Sequence, residues 1–243
     1  MSTNPMKLLF FLIPAVILFS SCSTTDPLYD PYTVQDPNPT LTKSLFPSDQ
    51  EIMDQSAIDT ILNSEIVIPE QAKVALINFP ISSSGQNSVY GYGYWRSEDY
   101  LKLQQSYIDT LTAELNRTDQ IGSLVLLPSM LTPSEPTLPV LREAAVRLQS
   151  QLMIVFTINS DIYQEFRLFR GNKAKAFATV EMVLFDIRTG IIPFTVIVTE
   201  EYETTKNDSD SNSSETMKRA EQEATLKALI GASRELRSYF SSL

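Results

Sequence analysis

The chain has 243 residues and a formal net charge of −10, with 19 lysines and arginines, 29 aspartates and glutamates, no histidine and one cysteine. It therefore lacks the residues for an intrachain disulfide, for Ser–His or Cys–His nucleophilic catalysis and for ordinary zinc sites. The acidic balance disfavours nucleic-acid partners, because phosphate backbones bind basic surfaces. Carboxylate chemistry, a serine–lysine pair and a non-catalytic role remain open.

Residues 1–21 have the order of segments found in a secretory signal peptide. Lys7 precedes an apolar run over residues 8–19, and small residues follow this run. At about 1.5 Å per residue the run reaches about 18 Å, well short of the roughly 30 Å hydrocarbon core of a bilayer. We therefore expect a cleaved signal rather than a spanning helix.

Cys22 follows Leu-Phe-Ser-Ser, a sequence that resembles the lipobox of bacterial lipoproteins. The resemblance implies cleavage before Cys22, a diacylglycerol on its thiol, and acylation of the new N-terminus, with palmitate among the expected lipids. Two or three acyl chains hold a protein stably on a membrane. By the same resemblance, Ser23 in the next position favours the outer membrane. A secreted protein with a free thiol at Cys22 is the alternative.

Residues 22–47 contain five prolines and no apolar period, which is typical of an extended tether. The predicted organisation is a signal peptide over residues 1–21, a lipidated cysteine and flexible tether over residues 22–47, and a single periplasmic domain over residues 48–243. A domain of that length can bury a core of its own.

Beyond the tether, apolar runs alternate with helical periods as far as residue 159. A capping box over residues 48–51 predicts a short leading helix. Buried strands are predicted over residues 73–80, 123–128 and 152–159, and helices over residues 97–116 and 138–151. Apolar strands separated by helices favour a parallel sheet with right-handed crossovers.

Each of the two longer helices has a predicted apolar face. In the first helix, this face consists of Leu101, Ile108, Leu111 and Leu115. In the second helix, it consists of Leu138, Leu141, Ala145 and Leu148. We expect both faces to cover the sheet.

After residue 173 the pattern changes to that of an antiparallel hairpin. Two β-rich runs, residues 174–187 and 191–205, flank Arg188-Thr189-Gly190. Their mixed alternation predicts that part of one face is solvated. Pro193 fits an edge position or a bulge. The polar residues 206–215 predict a mobile loop.

Asn212 and Glu215 are predicted to cap a C-terminal helix, in which Glu223 and Lys227 are spaced for an i,i+4 ion pair. The predicted apolar face of this helix consists of Leu226, Leu229, Ile230, Leu236 and Phe240. All these elements together predict an α/β fold. It has a mixed sheet of about five strands, in which β-α-β-α-β is followed by an antiparallel hairpin, with flanking helices and a C-terminal helix.

Four segments within residues 73–240 carry a resemblance to a known family. They are KVALINFP, SLVLLP, LREAAVRLQSQLMIVFTI and FATVEMVLFDIRTG. Together they resemble the rhombotarget lipoproteins. More distantly, they are similar to the α/β domain of curli-secretion lipoproteins, of the lipoprotein activators of penicillin-binding proteins and of the TolB N-terminal domain. The resemblance implies an envelope protein of unassigned activity, since a fold alone does not supply one.

The segment between the first predicted strand and the next helix contains Tyr90, Tyr92, Tyr94, Trp95 and Arg96. In open α/β sheets, ligands bind at the loops that follow the carboxyl ends of strands. Tyr, Trp and Arg are also enriched in protein-binding hot spots. Two interpretations stay open: a loop that folds down to complete the core, and a partner-binding surface.

Other motifs carry weaker signals. Gly85, Gly91 and Gly93 lack the spacing of a phosphate-binding loop, and residues 82–84 lack the context of a catalytic serine. Two groups of strand carboxylates and the acidic stretch 208–212 are expected to be solvated charges rather than a glycosidase pair or a calcium site. The two groups are Asp161 with Glu165, and Glu200 with Glu201 and Glu203.

These observations predict an envelope lipoprotein, anchored at the outer membrane and facing the periplasm, whose domain binds a partner and is not an enzyme. The expected partners are the membrane, through the lipid on Cys22, and another envelope protein or peptidoglycan, with no nucleic acid. Beyond the covalent lipid, no cofactor or metal is expected. The alternatives are a peptidoglycan-active or other envelope hydrolase that uses carboxylates, and a component of an oligomeric secretion or assembly complex.

Overall fold

The computed structural model describes residues 45, 54–79, 98–131, 136–165, 173–207, 210 and 212–243, apart from the side chains of residues 129, 164 and 165. The helices are α1 (Gln55–Leu62), α2 (Glu98–Leu115), α3 (Leu138–Arg147) and α4 (Ser213–Ser241), with a 3₁₀ turn at Ser129–Leu131. The strands are β1 (Ala72–Asn78), β2 (Ile121–Leu126), β3 (Leu152–Glu165), β4 (Lys173–Asp186) and β5 (Phe194–Thr205). None of the described helices has both the length and the apolarity needed to cross a bilayer.

The strands form one mixed sheet in the order β2-β1-β3-β4-β5. β1 pairs in parallel with β2 and β3, whereas β4 pairs antiparallel with both β3 and β5. α2 and α4 pack on one face of the sheet, and α3 packs on the other. The predicted α/β class, with a five-stranded mixed sheet that ends in a hairpin and a C-terminal helix, is confirmed.

β1 is apolar along its length because both of its faces are covered. Val74 and Leu76 lie on the α2–α4 face and are at most 1% exposed, while Ala75 and Ile77 lie on the α3 face. Phe79, directly after the strand, is also buried. The buried first strand is therefore confirmed.

β2 departs from its prediction. It is an edge strand, in which Ile121 is buried but Leu126 is 47% exposed. Leu127, just beyond the strand, is buried and donates a hydrogen bond of 2.8 Å to the Leu76 carbonyl. The prediction of a fully buried second strand is wrong, because a short apolar run does not distinguish a central strand from an edge strand.

α2 buries a face that is rotated from the predicted one. Tyr107, Leu111 and Leu115 are buried, whereas Leu101 is 62% exposed. Leu101 precedes Leu111 by ten residues, which places it about 80° away around a helix that turns about 100° per residue. The prediction for Leu101 is wrong, and Tyr107 occupies the buried face instead.

The first helix begins later than its sequence signal. The Asp54 carboxylate accepts a hydrogen bond of 2.7 Å from the Ala57 N–H and so forms the N-cap of α1. The predicted capping box, residues 48–51, lies outside the described residues. Asp54 supplies the same chemistry at the observed start of the helix.

α3 ends at Arg147, before the predicted end near residue 151. Gln149 adopts a φ of 58°, in the left-handed region, which a continuing α-helix does not allow. The preceding part of the chain also contacts α3. Leu45 packs against the apolar cluster on this face, and its carbonyl accepts a hydrogen bond of 2.6 Å from the Leu138 N–H.

α4 lies close to the sheet because small residues meet at the contact. Its fully buried alanines recur every four residues: Ala220, Ala224, Ala228 and Ala232. They belong to the same cluster as three buried alanines of β4: Ala174, Ala176 and Ala178. A Cβ added at Gly231 would lie 3.0 Å from Cγ1 of Val198 on β5. The predicted apolar face is confirmed at Leu229, Leu236 and Phe240, which are buried, while Leu226 is half-buried.

The start of α4 follows its prediction in part. The Asn212 side chain accepts a hydrogen bond of 3.1 Å from the Glu215 N–H, which confirms Asn212 as the N-cap. Lys227, predicted to pair with Glu223, instead lies with its Nζ 4.8 Å from the centre of the Tyr202 ring. This cation therefore joins α4 to β5 through a cation–π contact.

The segment between β5 and α4 contains a buried acid. Asp210 is 8% exposed and accepts hydrogen bonds from the Asn207 N–H (2.9 Å), the Thr216 hydroxyl (2.9 Å) and the Arg219 guanidinium (2.5 Å). Arg219 also donates to the Thr205 carbonyl at 2.8 Å. The expectation of a solvated charge is wrong for Asp210, which ties the end of β5 to the first turns of α4.

Candidate functional site

The site residues predicted from the sequence lie outside the described residues. They are Cys22, Tyr90, Tyr92, Tyr94, Trp95 and Arg96. The same holds for the serines of residues 82–84 and for Gly85, Gly91 and Gly93. The described ends of this connection are Phe79, whose N–H donates to the Phe156 carbonyl at 2.8 Å, and Glu98 at the start of α2. The lipid anchor and the aromatic loop therefore stay predictions.

Three of the strand carboxylates named in the sequence contact neighbouring side chains. Glu201 pairs with Lys175 at 2.7 Å, and Glu203 pairs with Lys173. Asp161 accepts a hydrogen bond of 3.0 Å from the Tyr163 hydroxyl. Among the described residues, no group of three or more histidines, cysteines, aspartates and glutamates is placed to hold a metal ion.

These pairs are part of a surface that the structure brings together on one face of β3, β4 and β5. We call it the hairpin surface, defined by Tyr163, Lys173, Lys175, Phe177, Thr179, Ile197, Thr199, Glu201 and Glu203. On the same face of the sheet, α3 covers Met153 and Val155 at the start of β3. The hairpin surface continues that face along the strands, where the side chains are half-buried or exposed.

At one end of the hairpin surface, aromatic and cationic groups contact each other. The rings of Tyr163 and Phe177 meet edge to face, with centroids 5.8 Å apart. The Lys175 Nζ lies 4.7 Å from the centre of the Phe177 ring while it pairs with Glu201. The hydrogen bond to Asp161 and the charge of that carboxylate raise the pKa of the Tyr163 phenol. Tyr163 is nevertheless 57% exposed and presents its ring to solvent.

At the other end, the hairpin surface borders an open sheet edge. Thr179 and Thr199 join β4 to β5 through their hydroxyls, which lie 2.8 Å apart. Ile197 on β5 is 70% exposed. β5 has one neighbouring strand, so the backbone groups of its outer side have no partner strand within the described sheet.

Sequence reasoning missed the hairpin surface although its signal is present. Lys173 lies just before one predicted strand and Lys175 lies within it, and Glu201 and Glu203 alternate on the strand predicted to pair with it. When lysines stand at alternate positions of one strand and glutamates at alternate positions of the antiparallel strand beside it, cross-strand ion pairs are expected. The register needed to align them comes only from the structure, in which Lys175 lies directly opposite Glu203.

A separate polar cluster lies on the α2–α4 face. The Ser160 hydroxyl of β3 donates a hydrogen bond to the Glu221 carboxylate of α4. Burial, and secondarily the charge of Glu221, raise the pKa of Tyr100 on α2. The cluster links both helices to the part of β3 that extends past β1.

Comparison with known proteins gives matches in structure only. The sequence matches no protein-family profile and no curated protein. A proposed homologue of the neuraminyllactose-binding hemagglutinin from Helicobacter pylori is 14% identical, with 69% of this chain and 87% of that chain covered, at a TM-score of 0.40. A minor lipoprotein from Acinetobacter baumannii is 10% identical, with 70% and 94% covered, at a TM-score of 0.36.

The lipoprotein GNA1162 from Neisseria meningitidis is also similar, at 10% identity and a TM-score of 0.27, with 61% of this chain and 94% of that chain covered. Two of these three structural neighbours are thus bacterial lipoproteins. Likeness at this level assigns neither a family nor a function to this chain. The resemblance to rhombotarget lipoproteins stays a prediction.

Proposed function

We propose that this chain is an envelope lipoprotein, anchored through Cys22 at the outer membrane, whose domain docks an extended segment of another envelope protein along β5. The observation that carries the proposal is the open edge of β5 beside the hairpin surface. In strand addition, main-chain hydrogen bonds give affinity and alternate side chains give specificity. The lipid anchor rests on the lipobox resemblance of the sequence around Cys22.

The side chains of β5 suggest what kind of segment binds. Its sequence, FTVIVTEEYETT, contains three glutamates and no lysine or arginine. Ile197 offers an apolar contact on the same face as Glu201 and Glu203. A segment with an apolar residue followed at alternate positions by lysine or arginine would match both features.

The proposal is non-catalytic, and the arrangement of the strand carboxylates supports that choice. Glu201 and Glu203 lie side by side on one face of a single strand, and each pairs with a lysine of β4. A glycosidase would need two carboxylates, about 5–9.5 Å apart, that flank the scissile bond from opposite sides. Hydrolysis of purified peptidoglycan by the full chain, abolished by one Asp or Glu substitution, would overturn the binding proposal.

A photocrosslinking amino acid at Ile197 tests the docking edge in living cells. The matched control carries the same amino acid at Val146, a 57% exposed apolar residue that lies on α3 rather than on β5. We expect one partner to crosslink at Ile197 and not at Val146, through an extended segment with alternate basic residues. Equal capture at both positions would contradict the proposal.

The crosslinked segment is then made as a synthetic peptide and mixed with the purified full chain. We expect it to slow amide hydrogen exchange in β5, since strand addition gives the outer amides hydrogen-bond partners. Protection confined to other elements would refute docking at this edge.

The anchor has its own test. Globomycin, which blocks lipoprotein signal cleavage, is expected to leave the precursor uncut, and palmitate labelling is expected to depend on Cys22. Maturation that ignores globomycin, together with no incorporated palmitate, would leave an exported protein without the proposed lipid.

A further inference from the structure

A cleft of about 340 Å³ lies between the end of α2 and the last turns of α4. Its lining residues are Arg117, Thr118, Arg234, Arg237, Ser238 and Ser241. We call it the arginine cleft. The residues from α4 fall at spacings of three, four and seven, so that they share one face of that helix.

The charge of the arginine cleft is opposite to that of the chain. Three guanidiniums line it, and no lining residue is acidic, in a chain of net charge −10. The adjacent Glu114 pairs with Arg117 at 2.8 Å and with Arg237 at 3.3 Å, so one carboxylate offsets part of the positive charge. Carboxylates farther than about 10 Å away are largely screened at 0.1 M salt. An anion in the cleft therefore meets a locally positive site.

The donors of the arginine cleft are only partly used within the protein. The Nε of Arg237 and the Oε2 of the neighbouring Glu114 are both buried and have no hydrogen-bond partner among the described residues, so Arg237 is not fully used by its ion pair. Arg234 is exposed and, within the described part of the chain, pairs with no carboxylate. By contrast, the hydroxyls of Thr118 and Ser241 already donate, to the Gln120 side chain at 2.6 Å and the Arg237 carbonyl at 2.9 Å. The guanidiniums and the Ser238 hydroxyl are the groups left to bind a ligand.

The arginines also have structural tasks, since Arg117 and Arg237 pair with Glu114 of α2. The cleft lies where α2 and α4 end, and helix C-termini carry partial negative charge that cations offset. Arg117 and Arg237 share the single carboxylate of Glu114, and the exposed Arg234 pairs with no carboxylate among the described residues, so the cleft keeps more positive than negative charge. The surplus donors point to an anion with several acceptor oxygens.

We propose that the arginine cleft binds a phosphate group. Guanidiniums hold phosphate oxygens through paired, charge-assisted hydrogen bonds. A phosphate presents up to four oxygens and can contact three arginines at once, whereas a carboxylate presents two. The phosphate belongs either to a small solute or to a phospholipid headgroup. This inference does not depend on docking at β5, because the cleft and β5 use different residues.

The test uses the full chain purified in dodecyl maltoside and two probes, inorganic phosphate and short-chain phosphatidylglycerol. Binding is measured by calorimetry at low salt in the wild type, in Arg234→Ala and in Arg147→Ala. Arg147 is a matched control, because it is an exposed arginine on α3, whose pair with Glu143 is solvent-accessible. Arg234→Ala removes no described ion pair, so we expect it to fold.

We expect at least one probe to bind and Arg234→Ala to weaken that binding about tenfold, as for the loss of a charge-assisted hydrogen bond. Arg147→Ala should bind as the wild type does. Tighter binding of phosphatidylglycerol than of inorganic phosphate would assign the phosphate to a lipid, and the reverse order would assign it to a solute. Failure of both probes to bind at millimolar concentration, or equal affinity in the wild type and Arg234→Ala, would overturn the proposal.

Discussion

Gly190 closes the turn between β4 and β5 in a conformation that most residues avoid. Its φ is 78°, and a Cβ added there would lie 2.9 Å from Nη1 of Arg142. The Arg142 guanidinium donates a hydrogen bond of 2.9 Å to the Ile187 carbonyl and so fixes α3 to this turn. The backbone conformation of Gly190 thus helps to position both the β4–β5 hairpin and α3.

Gly190→Ala is expected to lower the free energy of unfolding by about 1–2 kcal/mol, the cost of a left-handed conformation in a residue with a Cβ. Gly190→Asn is the matched control, because asparagine adds the same Cβ but tolerates this conformation better. Urea unfolding should rank the stabilities as glycine, asparagine, alanine. Equal losses in the two variants would attribute the effect to Arg142 rather than to the backbone.

Asp210 makes the free energy of unfolding depend on pH in the acidic range. The Asn207 N–H, with help from the Arg219 and Thr216 side chains, holds the pKa of Asp210 below its ordinary value of 3.8, although burial acts in the opposite direction. A lowered pKa in the folded state means that the unfolded state takes up the proton first as the pH falls. The stabilisation is therefore complete above the ordinary pKa and is lost as the pH falls through the lowered one.

Asp210→Asn should reduce the slope of unfolding free energy against pH below about pH 4, where this proton is taken up. The variant should also be less stable than the wild type at neutral pH, since Arg219 loses its charged partner. Chemical unfolding at several pH values measures both effects. Asp119→Asn, at an exposed aspartate between α2 and β2, serves as the control. An unchanged acid slope in Asp210→Asn would show that other groups govern this range.

At the scale of elements, the contact between α4 and the sheet depends on residue size more than on apolarity. Ala228 is fully buried, and nearby Gly231 approaches Val198 so closely that an added Cβ would lie 3.0 Å from it. Protein cores are packed to crystal-like density and leave little room for added methylenes. The small side chains of the alanine repeat therefore set the distance between α4 and strands β4 and β5.

Ala228→Leu is expected to destabilise the protein by about 1–3 kcal/mol, because the larger side chain must push α4 from the sheet. Glu235→Leu places the same side chain at an exposed position of α4 and should stay within about 0.5 kcal/mol of the wild type. Thermal and urea unfolding distinguish the two variants. A neutral Ala228→Leu would mean that the contact has unused space.

The spacing of apolar residues along the sequence predicts the order and type of the main helices and strands. It does not predict which of them are central and which of their residues are buried. β1 and β2 are similar apolar runs, yet β1 is central and β2 is an edge strand. In α2, the same period that located the helix misplaced Leu101 on its buried face. The burial of a strand or helix depends on which elements pack against it, and the order of apolar residues along the chain does not reveal those elements.

The surfaces are less predictable for the same reason. The hairpin surface depends on the pairing register of β4 and β5, which sets Lys175 opposite Glu203. Charges at alternate positions of the two strands do not fix that register by themselves. The arginine cleft joins Arg117 to Arg234, which meet only because α2 and α4 pack side by side. Net charge even pointed away from an anion site, since it averages over the whole chain.

In the whole molecule, the proposed anchor and the proposed docking edge both favour association of the domain with its partner. A lipid on Cys22 would confine the domain to a thin layer at the bilayer, and the predicted tether of residues 22–47 would set its reach. Confinement raises the effective concentration of any partner held at the same membrane. A weak edge contact then suffices for stable association, without a large buried interface.

We therefore predict that crosslinking at Ile197 depends on membrane attachment rather than on the lipid itself. A Cys22→Ser variant exported by an ordinary cleavable signal should lose most of its crosslinked product, because its effective concentration falls by orders of magnitude, roughly 10²–10⁴-fold. An unrelated outer-membrane β-barrel fused before the tether of that variant should restore the product, because it returns the domain to the same membrane. Crosslink yield relative to total protein is the measurement. Undiminished crosslinking by the soluble variant would contradict the role of confinement, and a yield that the barrel does not restore would indicate a specific need for the acylated cysteine.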